Sequence, residues 1–276
     1  MKKMAFFLLV FTQIVAFGKI YDCFPFFNEI ELLKIRLAEL DEVVDYFVLV
    51  ESVETQRGGL KPLYFEENKS LFTKHLPKII HVKIETTHPQ FGLWERENYQ
   101  RNQILQGLVH CNPMDIILIS DVDEIPRKAK IKELLIQGKN HFHGPISFEM
   151  SMHYFHLNRQ TSTQDAWGGG KWVGTIATVY RNVMKHSPQY FRKHSGIWSS
   201  IQNGGWHFTW MGGRDRVRKK LESVVEGRDS TLDQSDESID QWINSHPVFP
   251  LDQTYPEYVI QNQEYLKSIG FVAEYR

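Results

Sequence analysis

The chain has 276 residues with 32 basic and 33 acidic side chains, seven Trp and two Cys. That length buries a sizeable core in one large or two small domains, and the balanced charge, with no basic arm, argues against nucleic acid as a partner. Cys23 and Cys111 are far apart and lack a Cys-x-x-Cys neighbour, so they define neither a disulfide framework nor a zinc site.

Lys2 and Lys3 precede an apolar run over 5–17, and Ala16-Phe17-Gly18 offers a small-x-small cleavage pattern. Residues 1–18 are expected to be a signal peptide or membrane-associated segment, because the run falls short of the roughly 20 residues that span a bilayer. This implies a secretory compartment or a membrane, its cytoplasmic face included. Ile20 to Phe24 reads as a first strand, and Asn28 with Glu31 has capping-box spacing for a helix presenting Leu33, Leu37 and Leu40. Tyr46 to Val50 and Ile79 to Val82 are further strands, with Glu51 at the carboxyl end of the first and a polar, Gly-bearing loop over 52–59. Trp94 to Val109 reads as a polar helix ahead of a strand beginning at Asp115. The alternation predicts an α/β fold with a mostly parallel sheet, whose ligands belong at the carboxyl ends of its strands.

The aliphatic run Ile116 to Ile119 is closed by Ser120-Asp121-Val122-Asp123-Glu124-Ile125-Pro126. In extended backbone Asp121 and Asp123 leave on the same face, which suits one hard divalent cation, Mn²⁺ or Mg²⁺. Arg96 and Arg101 on the polar helix are placed for bidentate contact with phosphate oxygens.

Beyond Pro126 the pattern gives a helix over 128–137, a strand over 146–157, an aromatic Gly-rich loop ending at Trp172, and a strand over 175–180. Such Trp residues beside Gly suit stacking on flat ligands, although core packing is their commoner use. Gly204-Gly205-Trp206-His207 leads to Trp210, and Gly212-Gly213 opens a basic helix over about 214–225. Residues 229–237 read as a solvated acidic loop, and 255–267 as a last helix. His207 either completes a metal shell, touches a diphosphate or is a core histidine. His141, His143, His153 and His156 lack placed carboxylate or cysteine partners and read as structural or surface residues. Asp215, Asp165 and Glu149 are the candidates for a general base, with Asp215 the first choice, although a carboxylate opening a helix also complements its dipole.

Taken in order, Tyr21 to Glu29, Val43 to Glu51, Pro62 to Phe65, Trp94 to Asn102, Ser120 to Pro126 and Gly204 to His207 resemble glycosyltransferase family 17. The resemblance runs from about Ile20 to near Leu266. It implies a GT-A type Rossmann-like fold, a UDP-sugar donor such as UDP-GlcNAc, a divalent metal, inversion at the anomeric carbon and a glycan acceptor, with β-1,4 transfer to mannose. By motif position, Asp121 and Asp123 match the acidic motif that Glu124 continues, and Trp206 and His207 match the Gly-Trp-His segment. Glu51 lies where similar folds hold the nucleotide. Residues 19–276 are then one glycosyltransferase domain, with a nucleotide-sugar half over 19–127 and an acceptor half over 128–276. The short N-terminal segment, in place of a long stem, leaves the acceptor open. Paired aspartates also serve metal-dependent phosphohydrolases and nucleotidyltransferases, and a Trp-rich surface also serves non-catalytic carbohydrate binding.

Overall fold

The computed structural model describes residues 18–136, 144–161, 171–223 and 235–275. The apolar run over 5–17, His141, His143, Asp165, the Trp167 stretch and the acidic run over 229–234 lie outside them.

In chain order the elements are β1 (Ile20–Phe26), α1 (Ile30–Leu40), β2 (Tyr46–Ser52), α2 (Tyr64–Glu67), β3 (Ile79–Ile84), α3 (Leu93–Asn102), α4 (Ile104–Gly107), β4 (Ile116–Ile119) and β5 (Glu124–Pro126). Then follow α5 (Lys128–Ile136), β6 (Ile146–Tyr154), β7 (Lys171–Val179), α6 (Tyr180–Val183), α7 (Pro188–Lys193), β8 (Ser199–Thr209), α8 (Arg214–Ser223), α9 (Asp236–Asn244), α10 (Glu257–Gln261) and α11 (Gln263–Ser268). One eight-stranded sheet runs β3-β2-β1-β4-β7-β6-β8-β5. The first four strands are parallel; β7 joins β4 and β6 antiparallel, β8 runs parallel to β6, and β5 closes the edge antiparallel to β8. Parallel pairing thus predominates, and β3-β2-β1-β4 is the Rossmann-like half.

The central strands are almost wholly apolar because both of their faces are covered. Successive side chains alternate: Phe47 and Leu49 join Phe24, Leu33, Leu37 and Leu118 in one layer. Val48 and Val50 join Cys23, Ile104, Leu108, Ile117 and Ile119 in the other. Gly107 is required by that second layer, since a Cβ there would lie 2.4 Å from Val48 Cγ1. No helix among the described residues is long and apolar enough to cross a membrane.

Several local expectations change. The Asn28–Glu31 capping box does not form: the Glu29 carboxylate instead accepts from the Phe27 and Asn28 backbone N–H groups, and Glu31 pairs with Lys34. The polar helix breaks at Gln103 into α3 and α4, and the C-terminal helix breaks at Asn262 into α10 and α11. Asp236 and Glu237, expected in a loop, form the first turn of α9, which Ser235 caps by accepting from the Ser238 N–H.

Candidate functional site

The acidic stretch is a turn and not an extended strand end. After Ile119 the chain folds back, so that Glu124 N–H donates to Asp121 O (3.1 Å) and Asp121 N–H donates to Glu124 Oε2 (3.0 Å). The expectation that Asp121 and Asp123 share the face of an extended strand is thereby replaced: the turn redirects both side chains. Arg36, fully buried on α1, clamps this turn. It pairs with Asp22 through Nε and Nη2 at 2.7 and 2.6 Å, and its Nη1 donates to the carbonyls of Asp121 (2.9 Å), Val122 (3.3 Å) and Glu124 (2.8 Å). The planar fork suits this task because it delivers several fixed donors at once.

Asp121 faces two guanidinium groups, Arg101 Nη1 at 2.5 Å and Arg192 Nη2 at 2.9 Å. Burial pushes its pKa up, but the two arginines outweigh burial and hold the carboxyl below the usual range. Arg192 Nη2 also reaches Glu124 Oε1 at 2.8 Å, and the same oxygen accepts from Trp172 Nε1 at 2.5 Å. Asp123 lies 3.3 Å from Lys220 Nζ and 3.7 Å from His207 Nε2. Burial raises its pKa as well, and Lys220 and His207 more than reverse this.

Local sequence explains how these groups meet. Glu124, Ile125 and Pro126 oppose His207, Trp206 and Gly205 on β8. A Cβ on Gly205 would lie 2.2 Å from Ile125 O, so only glycine lets β5 approach so closely. Alternation along β8 then sends His207 toward Trp172, at a ring separation of 5.0 Å. Trp206 leaves by the other face into the cluster of Leu32, Ile35, Ile125 and Phe208, with the Arg127 guanidinium 3.9 Å from its ring centre.

Of the residues singled out from sequence, Asp121, Asp123, Glu124, Arg101, Trp172 and His207 therefore come together. Trp206 is core-packed because it has the opposite parity to His207. Glu51 is buried and accepts from Phe65 N–H (2.9 Å), with His81 Nε2 at 3.1 Å, so it anchors the loop after β2. Arg96 pairs with Glu54 at 3.4 Å and lines a small, narrow cleft with Ser52, Thr55, Ile84, Tyr99 and Gln100, at the carboxyl ends of β2 and β3. Asp215 is 97% exposed and pairs at 3.8 Å with Arg218, as a first-turn helix carboxylate does. Glu149 is half-buried on β6 opposite Val173. His153 is buried and His156 half-buried; burial lowers their pKa values to about 3 and about 4, which fits the structural role expected of them.

Arg36, Arg192 and Lys220 were not anticipated. Ser187-Pro188, a cap residue followed by Pro at the first helical position, is the signal that could have revealed the helix carrying Arg192.

The carboxyl groups of Glu97, Asp121, Asp123 and Glu124, with Glu29 close to Asp123 and Lys220, here outnumber the cations Arg101, Arg192 and Lys220. A diphosphate would be repelled unless a further cation joined it. Among the described residues no three His, Cys, Asp or Glu side chains converge as a ready metal cage. A Mg²⁺-like site needs only one or two carboxylates, with water and phosphate completing the shell. Asp121 and Asp123 are two carboxylates of that chemistry, each paired with a cation in this structure, and His207 Nε2 lies 3.7 Å from Asp123.

Fold and site together define an α/β protein with a Rossmann-like half-sheet and an acidic turn at the carboxyl end of a central strand. The model of the family described as Glycosyltransferase family 17 matches residues 10–211, and the chain belongs to that family. The Homo sapiens beta-1,4-mannosyl-glycoprotein 4-beta-N-acetylglucosaminyltransferase is 27% identical over 227 residues, covering 72% of this chain and 42% of that protein. Its Rattus norvegicus counterpart is 26% identical, covering 72% and 41%. The chain thus spans about two fifths of the length of these relatives. Among solved structures, S. aureus TarS 1-349 matches with a TM-score of 0.40 and 12% identity, covering 78% of this chain and 67% of that one.

Proposed function

We propose that the chain is a metal-dependent inverting glycosyltransferase that moves GlcNAc from UDP-GlcNAc to a glycan hydroxyl, with β-1,4 transfer to mannose as the linkage. The observation that carries the reading is the gathering of Asp121, Asp123 and Glu124 with three cations and His207, in a chain that belongs to glycosyltransferase family 17. Mn²⁺ or Mg²⁺ held by Asp121 and Asp123 supplies Lewis-acid neutralisation of the diphosphate. Arg101, Arg192 and Lys220 add fixed positive charge where the leaving group gains its electron pair. The acceptor oxygen bonds to the anomeric carbon from the face opposite the departing UDP, and its proton leaves to a base. Arg96 and the cleft after β2 and β3 take the nucleoside, at the strand ends where open α/β sheets bind ligands. Trp172 offers a ring face beside the reacting sugar. The half over 19–127 supplies most of the donor site, with Arg192 and Lys220 reaching it from the half over 128–276, which takes the acceptor.

Isothermal titration with UDP, with and without Mn²⁺, tests the reading: tight binding is expected only with both, and Asp121→Ala and Asp123→Ala should abolish it. Metal-independent binding that both variants retain would sink it. An array of UDP-sugars and glycan acceptors, with linkage determined by NMR, fixes donor, acceptor and stereochemistry. Residues 1–18 direct the chain to a secretory compartment or membrane in this reading. N-terminal sequencing of the expressed protein should show whether Lys19 has become the first residue.

A further inference from the structure

Arg101 and Arg192 share Asp121 but are held very differently. Arg101 is tied at all three of its nitrogens: Nε donates to Gln189 Oε1 (2.7 Å), Nη1 to Asp121 Oδ1 (2.5 Å) and Nη2 to Glu97 Oε1 (2.5 Å), with its side chain 2% exposed. Arg192 makes its ion pairs with Asp121 and Glu124 through Nη2 alone, is 15% exposed, and lies 5.3 Å from the Trp172 ring centre. Asp121 itself is 32% exposed, so this is the side from which a ligand reaches the cluster.

We propose that Arg192 changes partners when donor binds. In the free protein it neutralises Asp121 and Glu124; when the nucleoside diphosphate arrives with a divalent cation, its guanidinium passes to the phosphate oxygens and leaves Asp121 Oδ2 to the cation. The inference rests on the metal-dependent donor reading above. A metal ion and a guanidinium on one carboxylate oxygen repel each other at close range, which favours release of the less firmly held cation. Arg101 is fixed by three partners and Arg192 is not. The exchange leaves Glu124 satisfied, since Oε1 keeps the Trp172 indole N–H and Oε2 keeps the Asp121 N–H. A guanidinium also matches a diphosphate in a bidentate way that an ammonium cannot.

The exchange has a signature of opposite signs. Removing Arg192 should make Asp121 a better metal ligand and the site a poorer diphosphate receptor. Mn²⁺ titrations of the full chain followed by electron paramagnetic resonance, without and with UDP, read both quantities. Arg192→Gln is expected to bind Mn²⁺ alone several-fold more tightly, and to bind UDP at saturating Mn²⁺ about tenfold more weakly, the effect of one charge-assisted contact. Arg192→Lys should restore wild-type Mn²⁺ affinity while recovering only part of the UDP affinity. Mn²⁺ and UDP affinities that fall together, or that both stay unchanged, in a folded Arg192→Gln overturn the exchange. If circular dichroism shows that variant unfolded, Arg192→Lys decides: a lower UDP affinity at unchanged Mn²⁺ affinity supports the exchange, and any other outcome overturns it. Should the wild-type chain show no Mn²⁺-dependent UDP binding, the proposed function falls and the exchange with it. Wild-type binding with parallel losses in the variant removes the exchange alone.

Discussion

Two buried residues outside the acidic cluster, Arg36 and His153, place opposite demands on the fold. Arg36 joins Asp22 on β1 to the carbonyls of the 121–124 turn, so one side chain fixes where the Asp121 and Asp123 carboxylates stand. Arg36→Ala leaves the buried Asp22 carboxylate without its partner, a change that costs about 3–5 kcal/mol. The expected outcome is a large fall in the urea midpoint together with loss of Mn²⁺-dependent UDP binding. Arg36→Lys should rescue little, because one ammonium cannot reach the carboxylate and three carbonyls. His153 makes a different demand. It is buried with Ser151 Oγ 2.9 Å from its Nε2, and burial depresses its pKa to about 3. For a histidine this means that the unfolded chain binds the proton first, so stability is lost as pH falls from about 6.5 toward 3. Between pH 7.5 and 5 this site should remove about 2 kcal/mol, at 1.4 kcal/mol per pH unit below the unfolded pKa. Urea titrations at both pH values should show that loss reduced in His153→Gln; an equal loss in the variant would assign it elsewhere.

At the scale of elements, the contact of β5 with β8 aligns the acidic turn with His207. Gly205→Ala would push a methyl into Ile125 O and force the strands apart. A cost of about 3 kcal/mol, typical of overpacking, is expected in thermal denaturation, together with weaker metal-dependent UDP binding as Glu124 and Asp123 lose register with His207. The same pairing shows why only part of the site was legible in sequence. Asp121, Asp123 and Glu124 stood out because they follow a buried aliphatic run, and the Gly-Gly-Trp-His segment because glycines there ask for a close approach. β5 itself is three residues long, too short for any period to show. Arg192 and Lys220 meet the turn across 71 and 97 residues of chain, through helices whose docking no local pattern encodes. Trp206 packs into the core for a simpler reason: neighbouring strand residues face opposite ways, and the motif does not say which one faces the acidic turn. The parallel half of the sheet was readable because continuous apolar strands alternate with helices, whereas the entry of β7 beside β4 depends on long-range pairing.

For the whole molecule, that entry of β7 unites the halves over 19–127 and 128–276. Ile116–Ile119 on β4 pairs with Ile176–Val179 on β7, and one core layer combines Phe24, Leu49 and Leu118 with Ile131, Phe148, Met150 and Ala177. A boundary near residue 127 therefore cuts through a shared core and opens one edge of β4, and the fragment over 19–127 should not fold alone. The intact chain should unfold as one cooperative unit despite its length. Tryptophan fluorescence and far-UV circular dichroism offer a sharp comparison, because Trp94 is the single Trp before residue 128 and the other six report the second half. Coincident urea transitions by the two probes are expected. Fluorescence that changes at lower urea while half of the dichroism persists would show instead that the Rossmann-like strands hold together without β7, and that the half over 128–276 unfolds as a separate, weaker unit.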